Sequence, residues 1–334
     1  MAKNNIYLKE VFFWPSRNIA LAIPIVLLLG FLTGLVFDTS GLKKFILPIT
    51  VLMIYPTMIG FKPKEVLNLS QGKLMASIFL LNFIVVPAVA YLLGVGFLLQ
   101  DPQLFAGLVI TSLLPTSNMT IAFTMLAKGN VPAAIKSTTG GLLLGCLLAP
   151  WYLLFMVGKY VPVDILLTLK TISLVIVLPL IFGVATYSYI MKKYTLEYFQ
   201  KSIKPYLPAA STWGMVFIIF ISISMNAPRI ASNLHIFMIA LTVQIVFYAF
   251  NYMLATIVGR NFFKPQDSLT LVFSTVLRNL SISIGLAATA FGANAALMVS
   301  LAFLIQGQAA AWFIKLNERY AILKSKSVKN QISS

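Results

Sequence analysis

Pro115-Thr116-Ser117-Asn118-Met119-Thr120-Ile121 sets a proline and a run of hydroxyl and amide side chains inside a long apolar stretch. Ser274-Thr275, followed by Arg278-Asn279-Leu280-Ser281-Ile282, does the same half a chain later. Asn118 and Asn279 stand 161 positions apart, Pro48 and Pro208 stand 160 apart, and Ala133-Ala134 and Ala295-Ala296 stand 162 apart. A common offset at three places reads as an internal repeat. Both polar stretches are places where a helix is expected to break, because proline removes a donor and short polar side chains compete for the backbone.

The apolar background makes those breaks informative. Hydrophobic residues are 59% of the 334 and charged residues 10%. A soluble domain carries roughly 25% charged residues, so disordered, disulfide-stapled and ordinary cytosolic proteins are excluded and an all-α integral membrane protein is expected. About 20 apolar residues span a bilayer, and ten such stretches are legible: roughly 18–37, 42–61, 73–99, 103–126, 131–158, 163–191, 206–228, 233–259, 268–290 and 295–314. The head Met1–Arg17 is too polar to read as a signal peptide.

Ten crossings put both termini on one side. Eighteen of the 25 Lys+Arg fall on that side, four on the other (Lys43, Lys44, Lys159, Arg229) and three within spans (Lys136, Lys170, Arg278). The positive-inside rule then makes both termini cytoplasmic. The net charge of +17 therefore reads as topology and not as nucleic-acid binding. The basic tail (Lys315, Arg319, Lys324, Lys326, Lys329) and the basic loops are expected to meet anionic headgroups. Five spans per repeat give halves of opposite orientation, the plan of secondary transporters. In that plan, interrupted helices four and nine cross near the midplane, with half-helix N-termini facing a binding site.

All eight acids, Glu10, Asp38, Glu65, Asp101, Asp164, Glu197, Asp267 and Glu318, fall in loops, tails or span ends. Lys136 and Lys170 are close enough to span ends to snorkel. Arg278 is left as a fixed interior charge, since arginine does not deprotonate, and an intramembrane charge marks a functional site. Three roles are open to it: tying carbonyls freed by the break, standing where a coupling cation would bind, or pairing with an anionic substrate. The candidate site is Arg278, Asn279, Asn118, Ser117, Thr116, Thr120, Ser281, Ser274 and Thr275, with Asn82, Gln244, Gln306 and Gln308 as a second tier; the two last read as amides bridging helices.

Cys146 reads as a packing thiol and His235 as an interfacial residue. Trp14, Trp151, Trp213 and Trp312 read as interface anchors or packing. With one cysteine, one histidine and no interior acid, the inventory of a membrane-embedded enzyme is missing. Nothing matches the phosphate-binding G-x-x-x-x-G-K-[ST] pattern. No cofactor is expected; the coupling ion is open, a proton being possible.

Met53-Ile54-Tyr55-Pro56, Asn82 with Pro87, Leu126-Ala127-Lys128-Gly129-Asn130, and Asn279 through Phe291-Gly292-Ala293-Asn294 resemble the bile acid:sodium symporter superfamily, the second- and ninth-span motifs being closer to its arsenite-permease branch. The resemblance implies panel helices 1–2 (residues 1–72) and 6–7 (163–232), core helices 3–5 (73–162) and 8–10 (233–315), and a basic tail (316–334). Substrate would bind between panel and core and cross by alternating access, in the plasma membrane of a prokaryote. Thr116 stands where arsenite permeases carry a cysteine, and Ser281 where they carry a glutamate. Thr120-Ile121 and Ser274 stand where sodium-coupled members carry a Ser-Asn pair and a glutamate. The expected function is transport of a small organic anion with Arg278 in place of sodium or against the substrate. The alternatives are efflux of arsenite or another oxyanion, and sodium-coupled organic-anion symport.

Overall fold

The computed structural model describes residues 2–60, 71–161, 165–232 and 234–323. The side chains of 2–8, 20, 118, 165, 167 and 168 lie outside that description, as do Lys62, Lys64, Glu65, Asp164, Lys324, Lys326 and Lys329 of the charges counted above. The described residues form helices and turns without a named strand.

In chain order the helices are α1 (Ala2–Arg17), α2 (Ile19–Val36), α3 (Ile46–Met58), α4 (Gly72–Leu80), α5 (Val86–Phe97), α6 (Pro102–Leu113), α7 (Asn118–Leu126), α8 (Val131–Val157), α9 (Ile165–Ile172), α10 (Leu178–Lys193), α11 (Leu196–Tyr198), α12 (Tyr206–Ser232), α13 (Leu234–Phe262), α14 (Pro265–Val276), α15 (Leu280–Ala290) and α16 (Ala293–Tyr320). Wide π-turns at Leu81–Val85 and Ser173–Val177 join α4 to α5 and α9 to α10.

Seven of the described helices are long and apolar enough to cross a bilayer. The apolar α2 follows Lys9–Arg17 after a 97° turn, and the Trp213 indole donates to the Phe12 carbonyl at 3.0 Å to hold α1 against α12. The remaining apolar segments are the pairs α6/α7 and α14/α15, which break where the sequence placed its two polar stretches. Leu147, Phe155 and Ile181 are among many apolar side chains exposed on the surface. A contiguous exposed apolar surface is what lipid requires and water does not tolerate. The protein is an all-α, multi-pass integral membrane protein.

Two groups of helices pack mainly among themselves. In one, α12 lies against α2 and α3, and α3 against α10. In the other, α16 lies against α6 and α15, α8 against α6, α7 and α14, and α13 against α14. The groups meet where α12 crosses α15 and α16, and where α3 meets α15. At that last seam Gly285 is required. A β-carbon there would lie 2.3 Å from the Thr50 methyl, so any larger residue would wedge the groups apart.

Candidate functional site

Breaking a helix orphans carbonyls on one side and N–H groups on the other, and here several of them find new partners across the two breaks. Pro115 and Arg278 face each other as an antiparallel bridge. The Thr116 N–H donates to the Leu277 carbonyl and the Asn279 N–H to the Leu114 carbonyl, each at 2.9 Å. The two interrupted segments therefore cross in contact and in opposite directions. Thr116 N–H would have served the Ser112 carbonyl in a continuous helix; the Arg278 guanidinium serves it instead, from Nη1 at 3.3 Å. Arg278 N–H would have served the Ser274 carbonyl; the Asn82 amide does so at 2.9 Å.

The half-helix N-termini are capped by the polar residues singled out in the sequence. Ser117 Oγ accepts from the Met119 N–H at 3.2 Å, and Thr120 Oγ1 accepts from the Ser117 N–H at 3.1 Å, a capping box on α7. Asn279 Oδ1 accepts from the Ile282 N–H at 3.3 Å to cap α15. Asn118 is the first residue of α7; its side chain lies outside the described set. Pro115 and Arg278 are 163 positions apart, while the caps Ser117 and Asn279 are 162 apart, so the first break holds one extra residue. That residue is Thr116, fully buried in the left-handed region at φ 62°, where a β-branched side chain is strained. Its hydroxyl donates to the Pro115 carbonyl at 2.7 Å. The sequence pairing of Asn118 with Asn279 was thus one residue out of step with the caps.

Arg278 is 1% exposed. Gln306 on α16 grips its backbone like a neighbouring strand: Oε1 accepts from the Arg278 N–H at 2.7 Å and Nε2 donates to the Arg278 carbonyl at 3.1 Å. Tyr248 donates to the same Oε1 at 2.9 Å. Nε and Nη2 of Arg278 have no hydrogen-bond partner among the described residues. The six described acids all lie away from the crossing, in α1, loops, a short helix or helix ends. The bond to the Ser112 carbonyl uses only part of the guanidinium.

Beside the crossing lies a cavity of about 180 Å³. Arg278, Asn279, Ser117, Ser281 and Gln306, among the residues singled out in the sequence, border it. Thr57, Thr138, Ser211 and Thr212 border it too and were missed. Thr57, Thr138 and Thr212 donate to carbonyls three or four residues back, the habit of any threonine in a membrane helix, so the sequence carried no signal for them. Met58, Met119, Leu142 and Met215 supply an apolar wall. The cavity takes residues from α2, α3 and α12 on one side and from α7, α8, α15 and α16 on the other. It thus opens along the seam between the two helix groups.

Thr116, Thr120, Ser274, Thr275, Asn82, Gln244 and Gln308 do not border this cavity. Gln244 donates to the Met298 carbonyl at 3.1 Å. Ser274 and Ser137 hydroxyls lie 2.9 Å apart, and Asn82 Oδ1 and Thr275 Oγ1 lack partners among the described residues. The Leu126–Asn130 motif is structural: Asn130 caps α8 and its amide donates to Asp267 at 2.8 Å, tying the α7–α8 turn to the start of α14. At the other end of the seam a cavity of about 400 Å³ is lined by Lys43, Gln103, Asn226 and the turn Phe291–Asn294.

Crossed half-helices with a cavity at their junction, in a bundle of apolar helices, follow the plan of a multi-pass membrane transporter. The sodium bile acid symporter family model matches residues 46–233, and the chain belongs to that family. It is 24% identical over 287 residues to a probable chloroplastic sodium/metabolite cotransporter, BASS1, of Arabidopsis thaliana, covering 83% of this chain and 68% of that protein. It is 27% identical over 202 residues to an uncharacterised protein of Pseudomonas aeruginosa, 58% of each chain. It is 25% identical over 224 residues to the uncharacterised YbaS of Bacillus subtilis, 66% of this chain and 71% of that one.

Proposed function

We propose that the chain is a secondary active transporter that moves a small organic anion by alternating access, binding it in the cavity beside Arg278. In this reading α2 and the pairs α6/α7 and α14/α15 add three crossings to the seven long helices. Residues 1–72 and 163–232 form the panel, and 73–162 and 233–315 the core. The two halves are inverted repeats, a relation that the antiparallel Pro115–Arg278 bridge supports. The lysine and arginine distribution supports cytoplasmic termini, and the plasma membrane of a prokaryote is the proposed location.

The observation that carries the reading is the buried guanidinium at the rim of the cavity, two of whose nitrogens have no partner among the described residues. A charge so placed is costly unless something neutralises it. The N-termini of α7 and α15 lie at the same cavity and add positive potential. Arg278 takes the place of a coupling cation, or pairs with the substrate, or both.

Uptake of labelled small carboxylates and sulfonates into proteoliposomes tests this. Replacing sodium by choline should leave uptake intact, and Arg278→Ala should abolish it. Arg278→Glu with sodium present should restore a cation-dependent site. A strict sodium requirement in the unaltered protein would instead establish sodium-coupled organic-anion symport. That second reading is favoured by the cotransporter name of the plant relatives and by the unpartnered oxygens of Asn82 and Thr275. Arsenite efflux is disfavoured: Thr116 is fully buried and does not border the cavity. Resistance gained by Thr116→Cys in a sensitised host would reinstate it.

A further inference from the structure

The crossing cavity lies toward one end of the seam; toward the other end, beside the second cavity, contacts of a different kind join the two helix groups. Beyond Gly285 and Thr50, the Ser222 hydroxyl on α12 donates to the Ala293 carbonyl at 3.0 Å. Farther along, Arg229 in the last turn of α12 makes an ion pair with Asp101, the residue that precedes α6. The Asp101 side chain is 7% exposed and that of Arg229 is 44% exposed. Among the described residues around the small space they share, these two are the charged ones; Asn226 and Asn294 are polar and the rest are apolar. The pair joins α12 to α6, so it links one helix group to the other across the seam.

We propose that the Asp101–Arg229 ion pair is a latch that keeps this face of the seam closed while the crossing cavity is open on the other. The inference rests on the alternating-access reading, since a latch has meaning only between parts that separate. Removing one partner leaves the other charge without its counter-ion, which is costly at the largely buried Asp101. The exposed Arg229 end lets water take over the guanidinium when the groups part, so the latch can release. Of the contacts across this face, the ion pair is the one that a single charge change removes without altering packing volume.

The test reads seam opening and needs no substrate. Cys146 is the only cysteine, so Ser222→Cys in a Cys146→Ser background places one thiol in the closed face, where Ser222 is 2% exposed. The probe is a membrane-impermeant maleimide added to reconstituted protein. Asp101→Asn, and separately Arg229→Gln at the more exposed partner, should each raise the labelling rate on the order of tenfold, a shift of about 1.4 kcal/mol between two states. The exchanged pair Asp101→Arg with Arg229→Asp should return it toward the starting rate. Unchanged labelling in both single variants overturns the latch; raised labelling that the exchange fails to reverse also overturns it, since local packing would then be the cause. Failure of every anion in the uptake assay leaves this readout intact, so the two proposals fall separately.

Discussion

At the first break the Ser112 carbonyl is taken by a guanidinium from the far half of the chain, while at the second the Ser274 carbonyl is taken by the neutral amide of Asn82. The bridging residues differ in the same spirit. Pro115 has no N–H to satisfy, and Leu144 stands 162 positions before Gln306 on the helix that packs beside it. Arg278 has an N–H and a carbonyl to satisfy, and Gln306 takes both. The first break also holds the extra Thr116 in a left-handed turn, and the described residues of the second have no counterpart. Two related backbones thus reach the same crossing with different side-chain chemistry. Only one of them leaves charge to spare.

Gln306→Leu makes the second break resemble the first where the backbone does not allow it. The Arg278 N–H and carbonyl and the Tyr248 hydroxyl then lose their partner together. At roughly 1–3 kcal/mol for each buried unsatisfied group, a loss of about 3 kcal/mol or more is expected, read as a fall in thermal unfolding temperature in detergent. Gln306→Glu should recover part of it, because the acceptor remains.

Gly145→Ala attacks the first break. Its β-carbon would meet the Leu113 carbonyl at 2.8 Å, and overpacking of this kind costs about 1–3 kcal/mol. The same unfolding measurement should show Gly307→Ala to be nearly silent, since only a methionine methyl at 3.8 Å is close there. The caps are the finer comparison: Ser117→Ala and Asn279→Ala should each cost about 1 kcal/mol. Unequal losses would mean that one cap also holds something in the cavity both border.

The smallest effect concerns the far end of the seam. Burial raises the Asp101 carboxyl above its ordinary value of 3.8, against the opposing pull of Arg229. A raised value in the fold means that the proton binds at a higher pH than in the open chain, so the carboxylate the ion pair needs is lost early as pH falls. Among the described residues the charged group bordering it is Arg229, with His235 exposed at the start of α13. The ratio of the Ser222→Cys labelling rate to the rate of the same thiol with Asp101→Asn should therefore rise modestly between pH 7 and about pH 5, since the loss of thiolate is common to both.

The sequence made the helical membrane character plain, because 59% apolar composition admits little else. It also located both breaks, because proline and clustered hydroxyls act on their own backbone. It reached the site only in part. Ser117, Thr120 and Asn279 were singled out for polarity, which a cap and a ligand share, and their side-chain oxygens accept from nearby N–H groups as caps. Gln306 stood in the second tier because its partners lie 28 and 58 residues away, a relation that no local pattern carries. Thr116 hid the register: an inserted residue in an unwound segment leaves no trace in helical periodicity.

Arg278 also constrains how the chain comes to rest in the bilayer during synthesis. An arginine at mid-depth on an isolated helix costs about 2.5–3.5 kcal/mol at insertion, and here it sits between half-helices of 12 and 11 residues. Its backbone partner, Gln306, belongs to the helix made next, and its side-chain partner, Ser112, to one made long before. The α14/α15 segment is therefore a late settler: it must dock on a waiting α6 and be locked by α16, so a ribosome halted before α16 would leave it lodged at the translocon.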